Sequence, residues 1–254
     1  MQLVDSHSHL DTGEFDRDRA DVIARAQASG VVRQIVPAID AAGWPKLRDV
    51  CAVDAGLFPA YGLHPMFLAS HQPAHLHSLR DWIQCERPVA IGECGLDFYI
   101  PDLDAALQQQ YFNGQLALAK EYDLPLIVHA RRAVEAVIVS LKRFDGVRGV
   151  VHSFSGSIEQ ARQLWNLGFL IGLGGPVTYE RANRLRRLAA MMPIEYLLLE
   201  TDAPDQPDAR HRGQRNEPAR LTNILQTIAQ LRRQDPEGIA AATTANAERL
   251  FTLS

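Results

Sequence analysis

Short apolar runs recur along this chain at nearly even intervals, separated by longer stretches whose apolar residues fall three and four positions apart. The runs predict strands at residues 3–9, 31–37, 58–64, 89–95, 125–130, 149–153, 169–173 and 196–202. Several, such as Leu126-Ile127-Val128 and Leu197-Leu198-Leu199, are apolar at every position, the mark of parallel strands covered by helices on both faces. The intervening stretches read as amphipathic helices; Leu107, Tyr111, Phe112, Leu116, Ala119 and Tyr122 set out one such stripe. Strand ends recur about every 28 residues, close to the roughly 30 of a βαβ unit. Eight units in 254 residues predict an α/β fold, a single (β/α)8 TIM barrel forming one domain over 1–254. A last helical region, 217–250, closes the chain. The alternative is an open doubly wound sheet, which usually carries a glycine-rich phosphate loop after its first strand. Here that place holds Asp5-Ser6-His7-Ser8-His9.

Composition narrows the class. Hydrophobic residues make up 46% and charged residues 22%, which excludes a disordered or collagen-like chain. No apolar run approaches the roughly 18 residues of a membrane span, so no membrane partner is expected. The N-terminal segment has no basic head and reaches Asp5 at once, unlike a signal peptide. Three cysteines without CxxC spacing cannot close a disulfide framework, and the expected location is cytoplasmic. A net charge of −4 argues against binding nucleic acid by broad phosphate neutralisation. It leaves open the handling of a phosphate at a metal centre. No obligate protein partner is inferred.

The histidines follow the strands. In a barrel of this kind functional side chains sit at the C-terminal strand ends, which form one open face. His7, His9, His64, His129 and His152 all fall at or near predicted strand ends, as do Glu93 and Asp202. His7 and His9 lie two apart, so both rings point to one side of the first strand. Asp5 falls on that side one step deeper, and is expected to accept an imidazole N–H. Alone, an HxH pair reads equally as two solvated histidines, and His129 or His152 as a hydrogen-bonded core histidine. Their arrival at one mouth favours metal ligation. Glu93 ends a buried strand, where a lone carboxylate is costly. Its two oxygens can bridge two cations, an alternative to pairing with a rim arginine.

Geometry sorts the donors into two clusters: His7, His9 and Asp202 from strands one and eight, and His129 and His152 from strands five and six, with Glu93 spanning both. Such nitrogen and oxygen sets suit Zn, Mn, Ni or Fe, whereas Mg usually takes fewer imidazoles. Glu200 points the same way as Asp202 but deeper, in an orienting position. Cys94 points outward as a small buried filler.

The motifs Asp5-Ser6-His7-Ser8-His9-Leu10-Asp11, Gly62-Leu63-His64-Pro65, Ile91-Gly92-Glu93-Cys94-Gly95-Leu96-Asp97, Val128-His129-Ala130-Arg131, Val151-His152-Ser153-Phe154-Ser155-Gly156-Ser157 and Leu199-Glu200-Thr201-Asp202-Ala203-Pro204 resemble the TatD family of metal-dependent hydrolases, in order and at family spacing. The resemblance implies a TIM barrel, two divalent metal ions and hydrolysis of ester bonds, with DNA 3′-ends as the best-known substrate. It implies one metal on His7, His9, Glu93 and Asp202 and the other on Glu93, His129 and His152. The segment Pro204-Asp205-Gln206-Pro207-Asp208 lacks the Tyr-Leu usual in the DNase branch and looks more like the YjjV-type branch. The expected partner is therefore DNA or another phosphodiester or ester substrate, hydrolysed as a phosphodiesterase or deoxyribonuclease would, with a metal-activated water.

Roles follow as expectations. Asp202 holds a metal and takes the nucleophile's proton, Glu93 bridges, and His64 binds substrate or protonates the leaving group, unless it only orders the turn at Pro65. Arg131 grips a phosphate or lies on a surface helix. Arg210, Arg212 and Arg215, after strand eight, bind phosphate or line a solvated loop; Arg184, Arg186 and Arg187 form a solvated face. Gly172 to Gly175 offer a backbone approach to substrate or a tight turn, and His71, His75 and His77 are surface residues. Two rivals remain. One is an amidohydrolase acting on a cyclic amide or lactone, whose lysine-bridged form is excluded because Lys46, Lys120 and Lys142 all fall in predicted helices. The other is a non-catalytic metal-binding barrel, whose mark, a missing ligand, is absent.

Overall fold

In a computed structural model, which describes residues 1–253, eight parallel strands form one sheet in chain order: β1 (Leu3–Asp5), β2 (Val31–Pro37), β3 (Leu57–Tyr61), β4 (Ala90–Asp97), β5 (Leu126–Arg131), β6 (Gly149–Val151), β7 (Phe169–Leu173) and β8 (Leu197–Leu199). The sheet curls back on itself: Ser6 N donates to Leu199 O (3.0 Å), Asp202 N to His7 O (2.9 Å), and Ser8 bridges Ala203. The fold is the expected (β/α)8 barrel, and the repeat of about 28 residues is the length needed to cross to a helix and return.

Helices α1 (Arg19–Ala28), α2 (Trp44–Cys51), α3 (His75–Glu86), α4 (Ala105–Tyr122), α5 (Val134–Leu141), α6 (Ile158–Asn166) and α7 (Asn183–Met191) wrap the outside. Their starts follow local chemistry. Asp104 accepts from the N–H groups of Ala106 and Leu107, and Ser157 with Gln160 forms a reciprocal capping box on α6. The final helical region divides into α8 (Leu221–Arg232) and α9 (Pro236–Phe251). Left-handed Arg233 ends the first, and Asp235 with Pro236 starts the second. Among the described residues, no helix is long and apolar enough to cross a membrane.

Two apolar layers result. The larger lies between strands and helices and includes Cys94, which is buried there as its sequence parity predicts. The smaller takes one residue from each strand (Val4, Ile35, Ala60, Ala90, Ile127, Val150, Leu170 and Leu198) and packs them against Ala247, Leu250 and Phe251 of α9. The barrel interior is therefore filled at its N-terminal end, and polar side chains collect at the other.

Several strands are shorter than their apolar runs suggest. β1 stops at Asp5, β3 at Tyr61, β6 at Val151 and β8 at Leu199. His7, His9, His64, His152 and Asp202 thus stand on the first loop residues beyond the ladder, whereas Glu93 and His129 stand within it. Alternation carries straight through from the interior layer on three strands: Ile127 to His129, Val150 to His152, and Leu198 through Glu200 to Asp202. Ala60 to His64 after β3 also keeps step, and alternation breaks on β1 and β4. His7 lies three positions from Val4 and Glu93 three from Ala90. On β4 the pairing register shifts within that interval, between Ile91 and Cys94, and on β1 the ladder has already ended at Asp5.

Candidate metal centre

Glu93 is the hub of the mouth. Its carboxylate is 1% exposed and five imidazoles face it, divided between its oxygens. Oε2 lies 3.2 Å from His7 Nε2 and 3.4 Å from His9 Nε2. Oε1 lies 2.8 Å from His64 Nε2, 3.0 Å from His129 Nδ1 and 2.8 Å from His152 Nε2. Asp202 Oδ1 completes the first group, 3.5 Å from His7 Nε2 and 3.6 Å from His9 Nε2. Burial alone would raise the Glu93 carboxyl, yet the surrounding imidazoles hold it well below its usual range. Burial, with the stacked His152 ring 3.9 Å away, keeps His7 well below the usual imidazole value, and therefore neutral.

The outward nitrogens reveal which rings offer a lone pair inward. His9 Nδ1–H donates to the Pro37 carbonyl (3.1 Å), which can only accept, so in the neutral ring Nε2 carries the lone pair. Burial disfavours the charged form of this ring, yet without an ion the Glu93 and Asp202 carboxylates push it up to about 9. His129 Nε2–H donates to Asp97 Oδ2 (2.8 Å), which leaves Nδ1 with the lone pair when the ring is neutral. His152 turns Nε2 inward, with Nδ1 on the side of Glu200 Oε1 at 4.0 Å. His64 is the reverse. Its Nδ1 accepts the Met66 backbone N–H (3.0 Å), so the proton sits on Nε2 and donates to Glu93. A neutral His64 in this tautomer offers the site a donor and no lone pair.

This arrangement fits cations. Inward nitrogens approach one another at 3.1 Å (His7 and His9) and 3.3 Å (His129 and His152), and a shared positive ion offsets the repulsion of their lone pairs. Groups able to hold an ion include His7, His9 and Asp202, and His7, Glu93 and His152. A third set, His64 with Glu93 and His129, is close enough geometrically, but the tautomer removes His64 from it.

The site opens into a cavity of about 1000 Å³ whose walls include His9, Asp11, Lys46, His64, Glu93, His129, Arg131, His152, Asp202 and Gln206. All the candidate residues except His7 line it; His7 is fully buried behind His9. Arg131 is partly exposed, its Nε 3.4 Å from Asp97 Oδ2.

Some expectations fail. Asp5 touches no imidazole: its oxygens accept from the N–H of His7 (3.2 Å) and from the N–H and hydroxyl of Thr201 (2.9 and 2.5 Å). Asp5 ends the β1 ladder on the side opposite the interior Val4, alternation lapses before His7, and Asp5 ties the β1 and β8 ends together instead. Burial pushes its carboxyl up to about 7. Glu200 orients chiefly backbone, accepting the Ser153 N–H at 2.5 Å, and burial raises it to about 8. Arg210, Arg212 and Arg215 do not line the cavity; Arg215 grips Asp18 at 2.6 and 2.8 Å and packs over Phe15. His71 is buried where it closes the 3-10 turn Pro65–Ser70, its Nε2 donating to the His64 carbonyl (2.9 Å) and its ring edge-on to Tyr111. The glycines at the end of β7 and just beyond it serve packing: a Cβ at Gly172 would lie 2.1 Å from Glu200 Oε2, and one at Gly175 2.0 Å from Gln206 O.

Asp97 is the functional candidate the sequence did not flag. One oxygen accepts from His129, and the other accepts the N–H groups of Tyr99 (2.8 Å) and Ile100 (3.2 Å). Burial raises its carboxyl, but these bonds prevail and hold it near 2. Its signal was its spacing, four residues beyond Glu93 on the same strand.

A closed parallel barrel with histidines and carboxylates gathered at its C-terminal mouth defines a metal-dependent hydrolase. The profile of the TatD related DNase family matches residues 4–252, and the chain belongs to this family. It is 40% identical over 256 residues to the metal-dependent hydrolase YjjV of Escherichia coli (strain K12), covering 99% of this chain and 98% of that one. It is 35% identical to the 3'-5' ssDNA/RNA exonuclease TatD of Rahnella sp. (strain Y9602), covering 97% of each. The crystal structure of YjjV, a TatD homologue from Escherichia coli K12, superposes with a TM-score of 0.96 at 38% identity, covering 99% of this chain and 98% of that one.

Proposed function

We propose that this chain is a phosphodiesterase that trims nucleic acid from its 3′-end, with residues 1–254 acting as one catalytic domain. The observation that carries the reading is the division of Glu93: one oxygen faces His7 and His9, the other His129 and His152. In this reading His7, His9, Glu93 and Asp202 hold one divalent ion, and Glu93, His129 and His152 a second. When bound, such ions acidify a water and neutralise the charge growing on a phosphoryl group.

The side chains do the rest. Asp202 takes a proton from the attacking water; burial raises its carboxyl, which makes it the stronger base. His64 lines the cavity with its Nε2–H on Glu93 (2.8 Å), and would turn it to the leaving oxygen or a phosphoryl oxygen once that carboxylate is engaged by ions. Arg131, at the cavity wall, pairs with a phosphate. Kinship with a relative named an ssDNA/RNA exonuclease supports a nucleic acid substrate. A cytoplasmic setting accords with three free cysteines.

The test is turnover by metal-loaded protein on bis-p-nitrophenyl phosphate, end-labelled single-stranded DNA and dihydroorotate. Cleavage of the two phosphodiesters, with shortening from the 3′-end, is expected. Turnover of the cyclic amide alone would replace this reading with an amidohydrolase.

A further inference from the structure

The rim of the cavity is charged unevenly. Asp11, Glu14 and Asp40 line the side formed by the loops after β1 and β2, and Lys46 there is neutralised by Asp16 at 2.8 Å. On the other side Arg131 closes β5 and Arg132 follows it in a left-handed turn (φ 54°). That turn brings both guanidinium groups over one ring: Tyr99 lies 3.9 Å from Arg131 Cζ and 4.7 Å from Arg132 Cζ. Among the described residues, Arg132 has no carboxylate partner, so its N–H edge is available to an anion. The loop carrying Tyr99 is anchored by Asp97 and by Phe98 N donating to Arg131 O (2.9 Å). Phe98 and Tyr99 are 42% and 52% exposed, unusual for two adjacent aromatics. A separate groove of about 500 Å³ lies between Phe98, Arg132, Val139 and Arg143, its Arg132 adjacent in the chain to Arg131 of the main cavity. Its acid, Glu135, is engaged by Gln160 at 3.3 Å.

We infer that the loops after β4 and β5 form a track for single-stranded nucleic acid leaving the metal centre. Arg131 and Arg132, braced on Tyr99, hold the phosphate next to the scissile bond, and Phe98 stacks a base. This deepens the phosphodiesterase reading and rests on it. The chemistry is a negative chain bearing flat rings, which guanidinium groups and exposed aromatics match. The acidic rim opposite repels such a chain, so the track has one direction. Asp97 joins track and centre, since it turns the Tyr99 loop with one oxygen and orients His129 with the other.

The experiment compares substrates with and without a chain. Metal-loaded wild type, Arg132→Ala, Phe98→Ala, Tyr99→Ala and Tyr99→Phe are assayed on end-labelled dT10 and rU10 and on bis-p-nitrophenyl phosphate. For the three alanine variants, kcat/KM on the decamers should fall about tenfold further than on the small diester, chiefly through KM. Arg132→Ala should also reduce the salt slope of decamer binding by about one. Tyr99→Phe keeps the ring and should restore decamer turnover. Equal falls on both substrate types, or none, would overturn the track. Wild type that cleaves the small diester but neither decamer would overturn it while leaving the phosphodiesterase reading intact. Wild type that cleaves none of the three would overturn both.

Discussion

The two ends of the barrel interior are built from the same strands yet do opposite work. At the N-terminal end eight side chains, one per strand, meet Leu250 and Phe251 of α9 in an apolar plug. At the C-terminal end the continuing chain supplies His129, His152 and Asp202 in step with that plug, and His7 and Glu93 out of step with it. The lower end gains from burial and asks nothing of its residues beyond shape. The upper end buries groups that burial disfavours, and it makes sense only with a ligand to hold. Lesions at the two ends should therefore separate stability from chemistry.

The largest effect belongs to the upper end. Glu93→Gln keeps the size of the hub but removes its charge, and hydrolysis of bis-p-nitrophenyl phosphate should fall by about 10³-fold or more. Circular dichroism should still report a folded chain. A fall of less than tenfold would contradict the role given to Glu93. The lower end should behave in reverse. Phe251→Ala opens a cavity in the plug and should cost about 3–5 kcal/mol in denaturant unfolding, while kcat per folded molecule stays at the wild-type value. If kcat collapsed while stability held, the separation of the two ends would fail.

Asp97 tests how the upper end is held. Asp97→Ala leaves His129 without its acceptor and should weaken metal affinity by about 10–100-fold, measured by competition with a chromogenic chelator. Unchanged affinity would reduce Asp97 to a loop anchor.

The smallest effect concerns Asp208, which is buried behind the loop after β8. Burial would raise its carboxyl, but His211 Nδ1 (2.8 Å), the Arg210 N–H (2.8 Å) and Asn223 Nδ2 (3.2 Å) donate to it and hold it below the ordinary range. A depressed folded-state value means its stabilisation is complete above the unfolded carboxylate value near 3.9 and is lost as pH falls through the folded one. Asp208→Asn should thus cost about 1 kcal/mol in urea unfolding at pH 7, and the gap should narrow below about pH 4. A gap that widens in acid would contradict the sign.

The barrel was legible because alternating runs and helical stripes are statements about burial, and burial decides this fold. His129, His152 and Asp202 were legible for the same reason: each closes a buried apolar run at the open end of its strand. The loop positions were harder. Leu3 to His9 read as one strand, yet pairing ends at Asp5 and alternation lapses before His7, so parity kept both imidazoles at the mouth but misdirected Asp5. Asp97 acts through His129, 32 residues away, so its spacing from Glu93 marked a position on the strand but not the contact. His71 acts through the His64 carbonyl across a turn that apolar patterning does not describe. Arg215 has an ordinary loop context; only the fold shows Asp18 waiting for it.

The central claim is that Glu93 joins two groups of histidines around a pair of cations. Calorimetric titration of chelator-stripped protein with Mn²⁺ tests it most directly. Two ions per wild-type chain, and at least one of them lost or weakened about 100-fold in Glu93→Gln, is the predicted result. Identical isotherms for the two proteins would contradict it.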